Sequence, residues 1–211
     1  MLAAGKRFPG QPRSLAWRPV AFEVRPARRD RFDDVATVLA PKRPEAQGCW
    51  CLSYRLTPKE NECLAGAEAR GRALAQLCAR EHAPGVLAYE GDDVVGWAGM
   101  APRSELGGFD PRRFPVDPDG DPWVLYCFRV RAGHGKKGVA HALLAGAVDY
   151  ARSAGASAVE AYPVDVGSDR IDRTQAHSGT VSMFARAGFS VVGDTGYKVR
   201  GHPRMVMRRS L

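Results

Sequence analysis

The sequence is short of nearly everything that would set it apart from an ordinary globular chain. No stretch approaches the roughly 18 consecutive apolar residues of a membrane helix, so no spanning helix is expected. The N-terminal stretch MLAAGKRFPGQPRSLAWRP scatters basic residues and prolines and has no unbroken apolar run, so no secretory leader is expected and the cytoplasm is the default compartment. Cysteine is sparse: five residues, an odd number without repeated spacing, which predicts reduced thiols. Cys49-Trp50-Cys51 has no second C-x-C, C-x-x-C or H-x-x-x-H nearby to complete a tetrahedral site, so no metal is expected. The pair reads instead as two small buried hydrophobes flanking a core Trp.

Acidic residues are scarce only at the ends. The formal net charge is +8, but residues 1–31 and 196–211 together carry +11, which leaves −3 for the body. Neither end interleaves its charges with aromatic residues as a base-stacking surface would, so nucleic acid is not expected as a partner. With 45% hydrophobic and 26% charged residues over 211 positions, the chain can bury one core. We expect a basic N-terminal segment, residues 1–21, followed by one domain, residues 22–211.

Phe22 to Arg25 predicts a strand, and RDRFDDVATVLA, with Phe32, Val35 and Leu39 at helical spacing, predicts a helix. Thr57-Pro58-Lys59-Glu60 is a capping-box pattern with proline at the first helical position, predicting a helix to about Arg80. The β-rich runs on either side of Glu90-Gly91-Asp92-Asp93 predict a hairpin. After a loop over 102–122 come the strand WVLYCFRVR, a glycine loop, a helix from about Gly138 to Ser153, and the strand SAVEAY. A polar loop VDVGSDRIDRTQAH, a short helix in SGTVSMFARAGF closed by Gly188, and two short strands near Val191 and Met205 complete the chain.

Gly133-His134-Gly135-Lys136-Lys137-Gly138 stands between a strand and a helix, where backbone N–H groups and the helix N-terminus can face a phosphate. The segment also satisfies G-x-G-x-x-G, and Glu160 lies about where a dinucleotide fold carries its ribose acid. Two features oppose that reading. Only about fifty residues follow Glu160, too few to finish a doubly wound sheet. The preceding strand alternates Arg129 and Arg131 with Phe128 and Val130, whereas a first Rossmann strand is apolar on both faces.

The segment Gly135-Lys136-Lys137-Gly138-Val139-Ala140 resembles motif A of the GNAT N-acetyltransferase family, a strand followed by [Q/R]-x-x-G-x-[G/A] at a helix start. The resemblance extends over about residues 22–209, through GWAGMAPR and FARAGF, and is closest to a bacterial group carrying a GCWC-type segment. It implies an α/β (α+β) fold: a central mixed, mostly antiparallel, twisted sheet flanked by helices, with splayed central strands. It implies acetyl-coenzyme A as co-substrate, held by the main chain of Phe128, Arg129 and Val130 and by the amides of Lys136, Lys137, Gly138, Val139, Ala140 and His141. Gly135 stands where the family usually has Gln or Arg. Glu160 matches a position where protein-acetylating relatives carry a general base; as a residue of an alternating strand it is equally an exposed face residue. The family's usual thiolate acid, a Tyr, is replaced by Phe184 along the cofactor wall, so Ser182, Tyr162, His177 or water would have to substitute. Trp50, Tyr54 and Arg55 fall in the segment where relatives vary their acceptor site, and Asp165, with Asp169 and Asp172, follows the strand that bears Glu160.

The resulting expectation is acetyl transfer from acetyl-coenzyme A to a primary amine, on a small molecule or a protein lysine, by direct attack, in a monomer or homodimer. Phe184 and Gly135 motivate an alternative, an acyl-coenzyme A-binding module with weak or lost catalysis. G-x-G-x-x-G with Glu160 motivates a third, an NAD-dependent oxidoreductase.

Overall fold

The computed structural model describes residues 22–211 apart from 44, 113, 115–119, 168 and 170–176. The expected N-terminal segment 1–21 and Asp172 lie outside the described residues.

Strands β1 (Glu23–Pro26), β2 (Gly85–Glu90), β3 (Asp93–Pro102), β4 (Trp123–Val130), β5 (Ala158–Ala161), β6 (Ser190–Val199) and β7 (His202–Ser210) form one sheet in the order β1-β2-β3-β4-β5-β7-β6. Every neighbouring pair is antiparallel except β4 and β5, which run parallel and are joined through a helix. This mixed sheet is not the parallel doubly wound sheet that a dinucleotide fold requires. Glu160 is the third of the four residues of β5 and pairs with Val124 of β4 and Arg208 of β7.

One face is covered by α4 (Val139–Ser153) and α5 (Val181–Arg186). They bury Leu143, Leu144, Ala147 and Phe184 against Val86, Ala98, Leu125 and Val159. The other face carries α1 (Phe32–Leu39), α3 (Ala67–Cys78) and the segments around Trp50 and Phe109, packed on Leu87, Trp97, Val124 and Tyr162. Burying both faces explains why β2 and β3 are almost continuously apolar.

Two expectations needed correction. The helix predicted from Pro58 to about Arg80 is two helices, α2 (Pro58–Cys63) and α3. The capping box at Thr57 forms as predicted, but Gly66 adopts φ +86° as the N-cap of a separate second helix. The two short terminal strands are instead a long hairpin of ten and nine residues. Its turn is Arg200-Gly201 with φ of +49° and +88°, the left-handed pair of a tight hairpin, without the Asn-Gly or Asp-Gly that would announce it.

Candidate active site

The central strands part because β4 carries one residue too many. Its register with β3 runs from Gly96↔Val130 to Gly99↔Cys127 and resumes at Met100↔Leu125, which leaves Tyr126 as a bulge. A bulge bends its strand and re-aims side chains. Here Tyr126 and Cys127 both pack with the α1/α3 side, while Leu125 and Phe128 face α4. The parallel pairing of β4 with β5 covers only Trp123↔Val159 to Leu125↔Ala161 and stops where the bulge begins. Buried Arg55 clamps the distortion. Its Nε donates to Tyr126 Oη at 2.9 Å, Nη2 to Met100 O at 2.7 Å, and Nη1 to Glu105 Oε2 at 3.2 Å. Inside the parting, the Phe128 N–H donates to His177 O at 2.6 Å. Strand alternation turns the Val130 amide to the same edge.

The loop after β4 is built for amide display. Gly133, Lys136 and Gly138 have φ of +87°, +64° and +93°. Gly138 is the left-handed N-cap of α4, with no side chain capping the helix. Among the described residues, the amides of Lys136, Lys137, Gly138, Val139 and Ala140 have no acceptor, whereas the His141 amide donates to Gly138 O at 3.0 Å. Unsatisfied N–H groups at the positive end of a 15-residue helix form an anion site. Gly96 on β3 lets the helix start directly on the sheet, since a Cβ there would lie 2.9 Å from Val139 Cγ1. The amide row therefore opens beside the parted end of β4. Glu90, ending β2, sits against this loop: its Oε2 is 2.9 Å from His134 Nδ1 and 3.8 Å from Lys137 Nζ.

Glu160 is buried, 4% exposed, on the α1/α3 face. Tyr162 Oη donates to its Oε2 at 3.1 Å, and Arg208 Nη1 lies 3.4 Å from Oε1. Burial raises the Glu160 pKa above the ordinary carboxylate range, against the hydrogen bond from Tyr162 and the charge of Arg103. Burial likewise pushes the Tyr162 phenol well up, aided by the charge of Glu160. Burial thus pushes both groups toward their protonated forms, and Tyr162 directly follows β5, just past its pairing with β4.

Of the other sequence-predicted residues, Tyr54 joins this neighbourhood. Its hydroxyl is 3.2 Å from His177 Nε2, and its ring lies 4.8 Å from Phe109 and 5.8 Å from Tyr126. Arg55 reaches it only through the bulge. Trp50 does not: it is buried and stacked on Phe32 of α1 with centroids 6.3 Å apart. Asp165 is tied to the chain around it, Oδ1 accepting from the Gly167 amide. Phe184 is wholly buried against Phe128 and Phe189, on the α4 face of the sheet. Ser182 is exposed on α5 with its hydroxyl 3.2 Å from Thr180 Oγ1, so the sheet separates α5 from Glu160. The cysteine pair was half right. Cys51 is buried with Sγ 3.0 Å from Cys127 Sγ, but Cys49 is exposed, its Sγ 3.0 Å from Ser53 Oγ. Sequence reasoning missed Glu90, Arg103, Phe109, Phe114, Tyr126 and Arg204. Of these only the glycine- and proline-rich setting of Phe109 and Phe114 hinted at a structured loop.

A profile of the acetyltransferase (GNAT) family matches residues 41–174, more than half of the chain and including both the bulge and the amide row. The chain belongs to the GNAT acetyltransferase family. Solved structures agree on the fold. The PaiA N-acetyltransferase of Thermoplasma acidophilum, in complex with coenzyme A, is 12% identical with a TM-score of 0.51; the match covers 90% of this chain and 99% of that one. A mosquito arylalkylamine N-acetyltransferase-like protein, 5b, is 11% identical with a TM-score of 0.52, covering 90% and 100%. An acetyltransferase of Streptococcus pneumoniae is 13% identical with a TM-score of 0.50, covering 90% and 100%. At these identities the likeness concerns the fold alone. No curated protein matches the chain.

An acetyltransferase of this family must hold a coenzyme A polyphosphate, and five amides without acceptors at a helix N-terminus fit that task. If the polyphosphate lies on this row, the Glu90 carboxylate beside Lys137 would repel it. Glu90→Gln is therefore expected to tighten coenzyme A binding about two- to five-fold at low salt, with the gain fading at high salt. Calorimetric titration at two ionic strengths measures it; no gain at low salt would assign Glu90 a purely structural role.

Proposed function

We propose that this acetyltransferase moves an acetyl group from acetyl-coenzyme A to a primary amine by direct attack, with Glu160 as general base. The observation that carries the reading is the row of free amides from Lys136 to Ala140 opening beside the parted end of β4. These amides would hold the pyrophosphate, and the main chain of Phe128, Arg129 and Val130 would align the pantetheine arm. Acetyl-coenzyme A supplies an activated thioester. The chain's own residues supply what amine attack needs: a proton acceptor, a donor to the developing oxyanion, and a proton for the thiolate.

Glu160, with its raised pKa and buried setting, is suited to accept the amine proton. The Val130 amide, at the free edge of β4, is suited to the oxyanion. The Phe128 amide serves only if the His177 carbonyl withdraws, since it already has that acceptor. Tyr162 is better supported than Ser182 as the proton donor to the thiolate, because its phenol lies on the Glu160 face and is held protonated.

The test is coenzyme A release from acetyl-coenzyme A over a panel of small primary amines and lysine peptides. Amine-dependent release well above the blank is the expected result. A second reading, a coenzyme A-binding module without catalysis, is favoured by the buried Phe184 in place of the usual acid and by the engaged Phe128 amide. Thermal stabilisation by coenzyme A without turnover on any amine would establish it and overturn the first.

A further inference from the structure

Among the described residues, the sheet face that carries Glu160 holds more buried cation than its carboxylates neutralise. Arg55, Arg103 and Arg204 are all buried there. Arg55 is paired with Glu105. Arg103 lies over the Phe109 ring, 4.9 Å from its centroid, and gives Nη2 to Phe114 O at 2.9 Å, while its Nε has no partner. Arg204 is the more exposed electrostatically, although only 4% of it meets solvent. Among the described residues its side chain donates from Nη1 to Tyr54 Oη at 3.3 Å, and its Nε is also unpartnered. Among the described residues neither Arg103 nor Arg204 has a carboxylate within ion-pair distance. A dehydrated guanidinium without a countercharge is unfavourable, and a carboxylate in bidentate geometry is the ligand that best offsets it.

Arg204 also stands at a definite distance from Glu160. Arg208 pairs with Glu160, and Arg204 bridges to Val164, four residues further along the same face. That is roughly 13 Å between backbone positions. Rings fill the interval in an unbroken series: Tyr162 to Phe114 at 4.9 Å, Tyr162 to Phe109 at 5.3 Å, and Phe109 to Tyr54 at 4.8 Å. A proton acceptor thus lies at one end of an aromatic floor and, at the other, a cation with no carboxylate partner among the described residues, beneath the half-buried rim of Tyr54 and His177.

We propose that the acceptor is a small ω-amino acid, a primary amine separated by several carbons from a carboxylate that Arg204 binds. This rests on the reading of the protein as an amine acetyltransferase. The two charged ends are too far apart for the amine and carboxylate of an α-amino group, which share one carbon. The chain between them would lie on the rings, and its amine would approach Glu160.

The experiment compares matched amines that differ only in the carboxylate: 6-aminohexanoate against hexylamine, and lysine against 1,5-diaminopentane. The carboxylate-bearing member of each pair is expected to show a kcat/KM at least about ten-fold higher, as charge-assisted hydrogen bonds of this kind provide. In Arg204→Gln and Arg204→Met the ratio within each pair falls toward one. Independently of turnover, 6-aminohexanoate added to the wild-type protein saturated with coenzyme A raises Tm, and hexylamine does not. Equal or better use of the amines without a carboxylate, or a ratio indifferent to both Arg204 variants, overturns the proposal. If no amine is turned over, the same Tm comparison in the wild type and in Arg204→Gln still decides whether Arg204 binds the carboxylate, and the failure is then that of the acetyltransferase reading.

Discussion

Replacing Glu160 by Gln is expected to lower kcat/KM for amine acetylation by about 10²- to 10⁴-fold, the range that a positioned general base contributes, while coenzyme A affinity stays as it was. Coenzyme A contacts would come from the β4 edge and the α4 amides, whereas Glu160 lies on the opposite face of the sheet from α4. The pH profile adds a second readout. Burial raises the Glu160 pKa, so the acid limb of kcat/KM should fall above the ordinary carboxylate range in the wild type and disappear in the variant. Stability must move the other way. A carboxyl whose pKa is raised on folding binds its proton more tightly in the native state. Its favourable contribution is therefore present at low pH and is lost as pH rises through the window from the ordinary value to the raised one. Above that window Glu160 is a buried charge that the protein tolerates at a cost. Gln keeps an acceptor for the Tyr162 hydroxyl and carries no charge, so Tm of the variant should exceed wild type at neutral pH and match it at low pH. A fully active variant removes Glu160 from the mechanism. A variant with lowered Tm at neutral pH shows that the ionised carboxylate supports the fold through Arg208 and Tyr162.

Gly138→Val is expected to weaken coenzyme A binding by about 10²-fold or more, the scale of several lost charge-assisted hydrogen bonds. A Cβ at Gly138 meets nothing within 4 Å, so the substitution acts through the backbone alone. At φ +93° a β-branched residue is strained, and relief requires the loop to turn the amides of residues 136–140 away from their common direction. The matched control is Gly196→Val. That site has φ +68° and equally open space, but it lies in β6, away from the loop. Both variants should lose a similar few degrees of Tm, and only Gly138→Val should lose coenzyme A affinity by calorimetry. Equal affinity in the two variants would mean that the amide row is not the polyphosphate site.

The amide row was legible in the sequence because it depends on local rules. Glycines between a strand and a helix allow left-handed φ and leave the first helical amides free, and both consequences follow from neighbours in the chain. The Thr57 capping box and the Glu90–Asp93 hairpin were readable for the same reason. Less was written at Arg200-Gly201, where the long terminal hairpin turns without the usual residue pair, and at Gly66, where a glycine in an apparently continuous helical stretch proved to be a break.

The sequence by itself thus determined the glycine loop with its free amides, the order of the elements and the position of Glu160 in a strand. Which way Glu160 faces, and that it is buried rather than solvated, the tertiary structure alone decided. Alternation in a strand sets two sides without saying which is covered, and here both are. The bulge at Tyr126 was equally invisible, because one surplus residue in β4 exists only relative to the register of β3. Arg103 and Arg204 were not legible at all. A lone arginine in a loop or a terminal strand reads as solvated charge, and only the tertiary packing leaves Arg103 buried over Phe109 and Arg204 buried beside the distant Tyr54, neither with a carboxylate partner among the described residues.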